Sequence, residues 1–417
     1  MNDFELTEEE QTKIPYDNEP IARNRVGINS SARKSNVTVG KSLYVLVSIL
    51  LIITMVMGGF MVKLIINSNK PTVVNNPTYN ITVDGSPSAT VAANKGKLST
   101  VCVSAGQNTQ TGSNITYKTF FSMSSRGSGV IIDVDKNTGD ATIITCYHVV
   151  ENYTRQVYIL VYGSYTPVKA SVINYSETYD IAVLKVENSS EIQTSVCIAA
   201  TIGDSSNLVE GDDAIAIGNP LSGGISVSCG IISSPVNIVL IDENESRVIK
   251  VDTPINSGNS GGGLFDKEGN LIGIVNAKLM SSEIDNVAFA IPINLAKNLS
   301  NSIIRNGSSA PTTAVLGLDL AILSSGNYLD YETGKLNSTI IVESVNTLSA
   351  SYVAGIRKGD ELVSISYGDT FVEIKNLFDI EDHMFNLSIG DKITIVVERD
   401  GTELTYNFFI TNVNTIS

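Results

Sequence analysis

Between residues 96 and 305 the apolar positions arrive in short β-branched runs: GVIIDV, ATIIT, QVYILVYG, VKASVINY, IAVLKV, DAIAIG, ISVSCGIISS, RVIKVDTP, LIGIVNA and VAFAIP. Turn residues separate them and helical periodicity is scarce, which predicts an all-β barrel or sandwich. A helical period returns only in NLAKNLSNSII, residues 294–304, where it predicts a short helix closing the unit. The stretch NGSSAPTT, 306–313, carries linker chemistry and leads into a second unit over 314–412. No internal repeat is present.

The N-terminal pattern is of another kind. Residues 42–62, SLYVLVSILLIITMVMGGFMV, are uncharged and fenced by Lys41 and Lys63. As a helix they reach about 31 Å, the thickness of a bilayer's hydrocarbon core. A polar segment of 41 residues precedes them and no A-x-A site follows, so they read as an uncleaved transmembrane signal anchor rather than a cleaved leader or a core helix. Arg23, Arg25, Arg33, Lys34 and Lys41 outweigh Lys63 and Lys70 across this segment, which predicts a cytoplasmic N-terminus. Everything beyond residue 62 then lies outside the cytoplasm, on a single-pass protein of the cell membrane. Residues 1–41 read as a largely disordered cytoplasmic tail, and 63–95, rich in Asn, Thr, Ser and Pro, as a linker.

Composition narrows the function classes. The chain has 417 residues, 42% of them hydrophobic and 17% charged, enough to bury substantial cores. A net charge of −15 without a basic cluster excludes a nucleic-acid partner and leaves proteins or peptides. Histidine occurs only as His148 and His383, so no His-rich metal site can be built, and no phosphate-binding G-x-x-x-x-G-K-[ST] loop implies ATP. The expectation is an enzyme without metal or cofactor. Cys102, Cys146, Cys197 and Cys229 allow three disulfide pairings or none, and the sequence leaves both open.

Candidate chemistry begins at DTPINSGNSGGGLF, residues 252–265. Gly258, Gly261 and Gly262 flank Ser260 and permit a turn that aims successive N–H groups at one point, although glycine turns are commonly only structural. A serine hydroxyl needs a base to become a nucleophile, and His148, in ATIITCYHVV directly after an apolar strand, is one of two histidines able to serve. A carboxylate must orient that imidazole. Asp180 in TYDIAVLKV precedes an apolar strand and so belongs at a core edge, whereas Asp133, Asp135 and Asp140 sit in a hairpin-like turn. That turn mimics a calcium loop but has Gly139 at the seventh position and Ile144 at the twelfth, which rules it out.

Taken in order, TCYHVV, YDIAVLKV, AIGNP, DTPINSGNSGGGLFDKEGNLIGIVNA and VAFAIPIN resemble successive blocks of the HtrA/Deg family of trypsin-like serine proteases. The resemblance implies a chymotrypsin-like double β-barrel over 96–305, with Ser260 as nucleophile, His148 as general base, Asp180 as orienting carboxylate, and Gly258, Asn259 and Ser260 forming the oxyanion hole. Gly263 stands where the family commonly has proline, and Cys146 with Tyr147 replaces the usual small or amide residues. Residues 314–412 resemble a PDZ domain through AVLGLDL, ASYVAGIRKGDELVSIS and KNLFDIEDHMFNLSIGDKITIVVERDG. In such a domain Val315, Leu316, Gly317 and Leu318 form the loop that captures a peptide's C-terminal carboxylate. The implied protein is a membrane-anchored protease of quality control that cleaves misfolded or unfolded proteins, assembled as a homotrimer or higher oligomer. The competing reading is a chaperone-like or peptide-binding adaptor on a mostly inactive protease fold.

Overall fold

The structure, a computed structural model, describes residues 88–106, 115–152, 156–220, 224–241, 244–279, 287–329 and 336–416. The expected tail, the apolar segment 42–62 and the linker up to residue 87 lie outside the described residues. Among the described residues no helix is long and apolar enough to cross a membrane.

Two closed six-stranded barrels follow one another along the chain. The first contains β1 (Thr100–Ala105), β2 (Ser125–Asp135), β3 (Asp140–Cys146), β4 (Val157–Val161), β5 (Val168–Ser176) and β6 (Ile181–Val186), joined in the order β1-β2-β3-β6-β5-β4. The second contains β7 (Asp213–Gly218), β8 (Ser226–Ile241), β9 (Asn244–Val251), β10 (Gly263–Phe265), β11 (Leu271–Asn276) and β12 (Ala288–Pro292), in the order β10-β11-β12-β9-β8-β7. This is the chymotrypsin-like double barrel that the sequence implied. Closure satisfies every strand edge, which suits short strands that would otherwise expose unpaired N–H and C=O groups.

The apolar runs become strands because both their faces are covered. In β6, IAVLKV, five of six positions are buried, one face in the barrel and the other under a helix. That helix, α2 (Ile293–Asn306), extends the expected 294–304 by a residue or two at each end. Its Leu295, Ala296, Leu299 and Ile303 recur at helical spacing and share one core with Ile181, Val183 and Leu184. Burying each such Leu or Ile contributes about 1.5–3 kcal/mol.

The strands that close the barrels, β1 and β10, are absent from the ten runs read in sequence. TVCVSA is wholly buried between β2 and β4, but its small polar residues blur the apolar signal. GLF has only three residues and continues directly from the glycine turn. The linker expected to end at residue 95 also stops earlier, because Ser88–Ser99 forms α1. This helix docks through small residues rather than an apolar stripe. Ala92 is fully buried, and a Cβ at Gly96 would come within 2.5 Å of Ile217 and 3.0 Å of Phe265.

The C-terminal unit contains β13 (Thr312–Ala314), β14 (Leu318–Leu329), β15 (Leu336–Val345), β16 (Glu361–Tyr367), β17 (Thr370–Glu373), β18 (Lys392–Arg399), β19 (Thr402–Phe409) and β20 (Val413–Thr415). Its main sheet runs β14-β15-β16-β18-β19, leaving β14 at an edge. A core of its own forms from Ile340, Val342, Leu362, Ile393, Ile395 and Val397. Pairing of β13 with β20 fastens the unit's two ends together, so its ordered bounds exceed the expected 314–412 and take in part of the expected linker 306–313. Helix α3 (Phe378–Met384) faces the edge strand and also meets the second barrel, where the Asp382 carboxylate accepts from the Arg247 guanidinium of β9. All four cysteines are free thiols.

Candidate active site

Chain direction changes sharply at each of the three candidate residues. β3 ends at Cys146, and the single helical turn Tyr147–Val150 lifts His148 out of the barrel wall. Asp180 closes the turn before β6 and takes φ 51°, a left-handed conformation that Asp tolerates better than most residues. Ser260 lies in the turn before β10, between Gly258 at φ 98° and Gly261 at φ 83°. At Gly261 a Cβ would fall 2.2 Å from the Ser128 carbonyl oxygen, so only glycine permits this approach.

The structure joins His148 to Asp180 directly. His148 Nδ1 lies 2.6 Å from Asp180 Oδ2, and the His148 backbone N–H donates to Oδ1 at 2.9 Å. Asn276, at the end of β11, donates its Nδ2–H to Oδ2 at 2.9 Å. The Asn276 amide is fixed in that sense because its Oδ1 accepts from Lys278 N–H at 3.1 Å. The Asp180 side chain is only 3% exposed while the imidazole is 20% exposed. A buried carboxylate with these donors orients a ring that itself stays partly exposed. The Asp180 loop is braced in turn by Tyr147, whose N–H donates to the Asp180 carbonyl and whose hydroxyl donates to Glu177.

Ser260 is held differently. Its Oγ accepts from Ala277 N–H at 3.1 Å, and among the described residues it forms no hydrogen bond with His148. In the surrounding turn the N–H groups of Asn259, Gly261 and Gly262 donate to Asn256, Val275 and Asn259 carbonyls. Those of Gly258 and Ser260 have no acceptor among the described residues. Two unspent donors one residue apart are what an oxyanion hole requires. Asn259, expected to join them, spends its N–H within the turn, and its Oδ1 is buried without a partner.

Cys146 Sγ, His148 and Asp180 offer donor atoms within 4.8 Å of one another. They make a poor metal site, since the 2.6 Å His148–Asp180 contact leaves no room for an ion. Burial, and then the negative charge of Asp180, also raise the Cys146 thiol well above its ordinary range and disfavour the thiolate a metal needs. The other aspartates do not reach the site. Asp135 accepts from Asn137 N–H within its own turn, and Asp140 accepts from Asn188 N–H.

In the C-terminal unit a groove of about 680 Å³ runs between residues 313–320 and α3. Val315, Leu316, Gly317 and Leu318 all line it. Val315 is not a free donor, because its N–H is spent on the Asn412 carbonyl at 3.0 Å, while those of Leu316 and Gly317 have no acceptor among the described residues. His383 lies on α3, hydrogen-bonded through Nδ1 to the Tyr367 hydroxyl at 2.6 Å. Reading the sequence missed Asn276 and Ser128. The first ends an apolar run whose only polar residue it is, a signal that was available; the second shows no local signal at all.

A model of trypsin-like peptidase domains matches residues 127–274. The Do-like serine protease HtrA of Lactococcus lactis subsp. cremoris is 32% identical over 299 residues, spanning 68% of this chain and 70% of that protein. The periplasmic serine endoprotease DegP of Escherichia coli K12 is 30% identical over 285 residues, spanning 67% of this chain and 56% of its own. Among solved structures, the HtrA-type protease AlgW with tripeptide superposes with a TM-score of 0.51 at 26% identity, covering 79% of this chain and 99% of that one.

Proposed function

The chain belongs to the HtrA family of trypsin-like serine proteases, and from that premise we propose an extracytoplasmic, membrane-anchored endopeptidase that cleaves unfolded or misfolded proteins through an acyl-enzyme. The observation that carries the mechanism is the Asp180 carboxylate, gripped by His148 and Asn276 beside a hydroxyl and two unspent N–H groups. Ser260 Oγ attacks the scissile carbonyl while His148 Nε2 takes its proton. Asp180 keeps the opposite ring nitrogen protonated and stabilises the imidazolium that forms. The N–H groups of Gly258 and Ser260 receive the oxyanion, and His148 then returns the proton to the leaving amine. In this reading an arriving substrate draws Ser260 Oγ from the Ala277 N–H towards the imidazole.

The C-terminal unit acts as a PDZ domain. Its edge strand β14 accepts a peptide as an added strand, and the N–H groups of Leu316 and Gly317 take the terminal carboxylate, recruiting substrate tails or regulating cleavage. Residues 42–62 anchor the chain with both folded units outside the cytoplasm, and the protease units assemble as a trimer or higher oligomer. External protease added to intact cells should digest the part beyond residue 62; protection of that part rejects the topology.

Two measurements test the enzyme together. Labelling by a fluorophosphonate and hydrolysis of fluorescent casein should both occur in the wild type and vanish in Ser260→Ala, a loss on the order of 10⁶-fold in kcat, with Tm unchanged. The Ser260–Ala277 hydrogen bond favours the adaptor as the second reading. A folded wild type that neither labels nor cleaves establishes that reading instead.

A further inference from the structure

Ser128 lies in β2, 130 positions before Gly258, and is fully buried. Every polar group it owns is committed around the Ser260 turn. Its N–H donates to the Ser260 carbonyl at 2.8 Å and its Oγ–H donates to the Gly258 carbonyl at 2.7 Å. The same Oγ accepts from Asn219 N–H at the end of β7 at 2.8 Å. Its own carbonyl accepts from Thr145 Oγ at 2.7 Å, three residues before His148. One residue therefore ties together the turn that carries Ser260, the second barrel and the strand that delivers the histidine.

The chain admits this contact at some expense in side chains. A Cβ at Gly127 would lie 2.9 Å from the Ser260 carbonyl oxygen, and one at Gly218 would lie 3.0 Å from Ser128 Oγ. Glycine at both positions is what lets Ser128 approach the turn so closely. The hydroxyl meets a particular weakness there. Turning over the peptide plane between Gly258 and Asn259 changes ψ at Gly258 and φ at Asn259. A glycine resists the first little and Asn tolerates a positive φ better than most residues, so the plane can turn over with little movement of its α-carbons. Turned over, it disrupts the geometry of the hole donors on either side.

We infer that Ser128 is the positioning residue of the oxyanion hole: its hydroxyl and N–H hold the Gly258 and Ser260 carbonyls behind the turn and so keep the Gly258 and Ser260 N–H groups available for the oxyanion. The assignment rests on the protease reading above. Without the hydroxyl, the Gly258 carbonyl and the Asn219 N–H lose their buried partner, and exchange of the former for solvent drives the plane over. Because the hole binds the transition state and not the ground state, the loss falls on kcat.

Ser128→Ala should lower kcat about 100- to 1000-fold, the range for losing one oxyanion donor, with KM nearly unchanged. Affinity for a tetrahedral peptide boronate should fall in parallel with kcat. The pH dependence of kcat/KM should stay where it is, since His148 and Asp180 are untouched. Ser128→Thr and Ser128→Val form a second pair, equal in volume and different only in the hydroxyl; Thr should be far more active than Val. Equal activity in that pair, an unchanged kcat in Ser128→Ala, or a loss shared equally by KM overturns the assignment. Wild type and Ser260→Ala are labelled with fluorophosphonate alongside. An unlabelled wild type rejects the protease reading and this assignment with it, whereas a labelled wild type with an undiminished Ser128→Ala rejects this assignment alone.

Discussion

His148 and Asp180 are separated by 32 positions and Asn276 by a further 96 beyond Asp180, yet the three make one hydrogen-bonded chain. Asn276 is the member whose chemistry is easiest to isolate. Its Nδ2–H is the donor to Asp180 Oδ2 besides the imidazole, and a hydrogen bond to a charged group contributes about 1.5–3 kcal/mol. Asn276→Ala should therefore cost roughly 10- to 100-fold in kcat, read from steady-state peptide hydrolysis. A wild-type kcat in that variant would leave His148 alone as sufficient to orient Asp180. The candidate residues His148, Asp180 and Ser260 were legible because the order His, Asp, Ser, with glycines around the serine, is a linear pattern. Asn276 and Ser128 were not, since their hydrogen-bond partners Asp180 and Gly258 lie 96 and 130 positions away, and no local periodicity encodes such a pairing.

Helix α3 is the element on which the C-terminal unit's behaviour turns. Arg247 packs 4.3 Å above the Phe378 ring and pairs with Asp382, whose side chain is only 8% exposed. Removing one partner strands a buried charge. Arg247→Ala should lower stability by about 3–5 kcal/mol, whereas replacing both with apolar residues of similar volume should cost far less. Urea melts of the two variants check this, and equal losses would show that the pair is not the cause. At the next residue, burial holds His383 below its ordinary imidazole range, against the opposing pull of Asp382, Asp379 and Asp204 and with the Lys297 charge adding to it. As pH falls below about 6.5 the unfolded chain takes up a proton that the folded imidazole refuses, so stability declines there. Wild type should be less stable at pH 5 than at pH 7.5, and His383→Gln should narrow that difference. Burial raises the neighbouring Asp379, Glu381 and Asp382 carboxyls, which contributes stability at low pH that is lost as pH rises through their folded-state values and so opposes the imidazole. All three are kept in His383→Gln, and the comparison with wild type isolates His383. An unchanged pH difference in His383→Gln would remove His383 from the account.

At the scale of the molecule, two barrels and a third unit hold together without any disulfide among the described residues. Burial pushes the Cys102 thiol up to about 12, and Cys146 and Cys197 are buried as well. Cys229 alone is exposed. A thiol reagent should modify Cys229 in the native protein and the remaining three only after denaturation, and a reductant should leave Tm and proteolysis unchanged. A fall in Tm under reductant would mean that the oxidised protein contains a bond.

What the sequence determined by itself was whatever repeats at short range. β-Branched runs between turn residues predicted an all-β barrel or sandwich, the 3.6-residue period predicted α2, and the ordered motifs implied the double barrel and marked Ser260, His148 and Asp180. The tertiary structure decided what depends on close approach between distant segments: barrel closure by the weakly patterned β1 and the three-residue β10, and the docking of α1 through Ala92 and Gly96. It also decided which N–H groups of the Ser260 turn are spent and which are free. Such contacts are set by the absence of a Cβ or by one hydroxyl aimed across a buried gap, and both are properties of two segments at once. The physical reason is that hydrophobic burial leaves its period in one stretch of chain, whereas a hydrogen bond between strands leaves none.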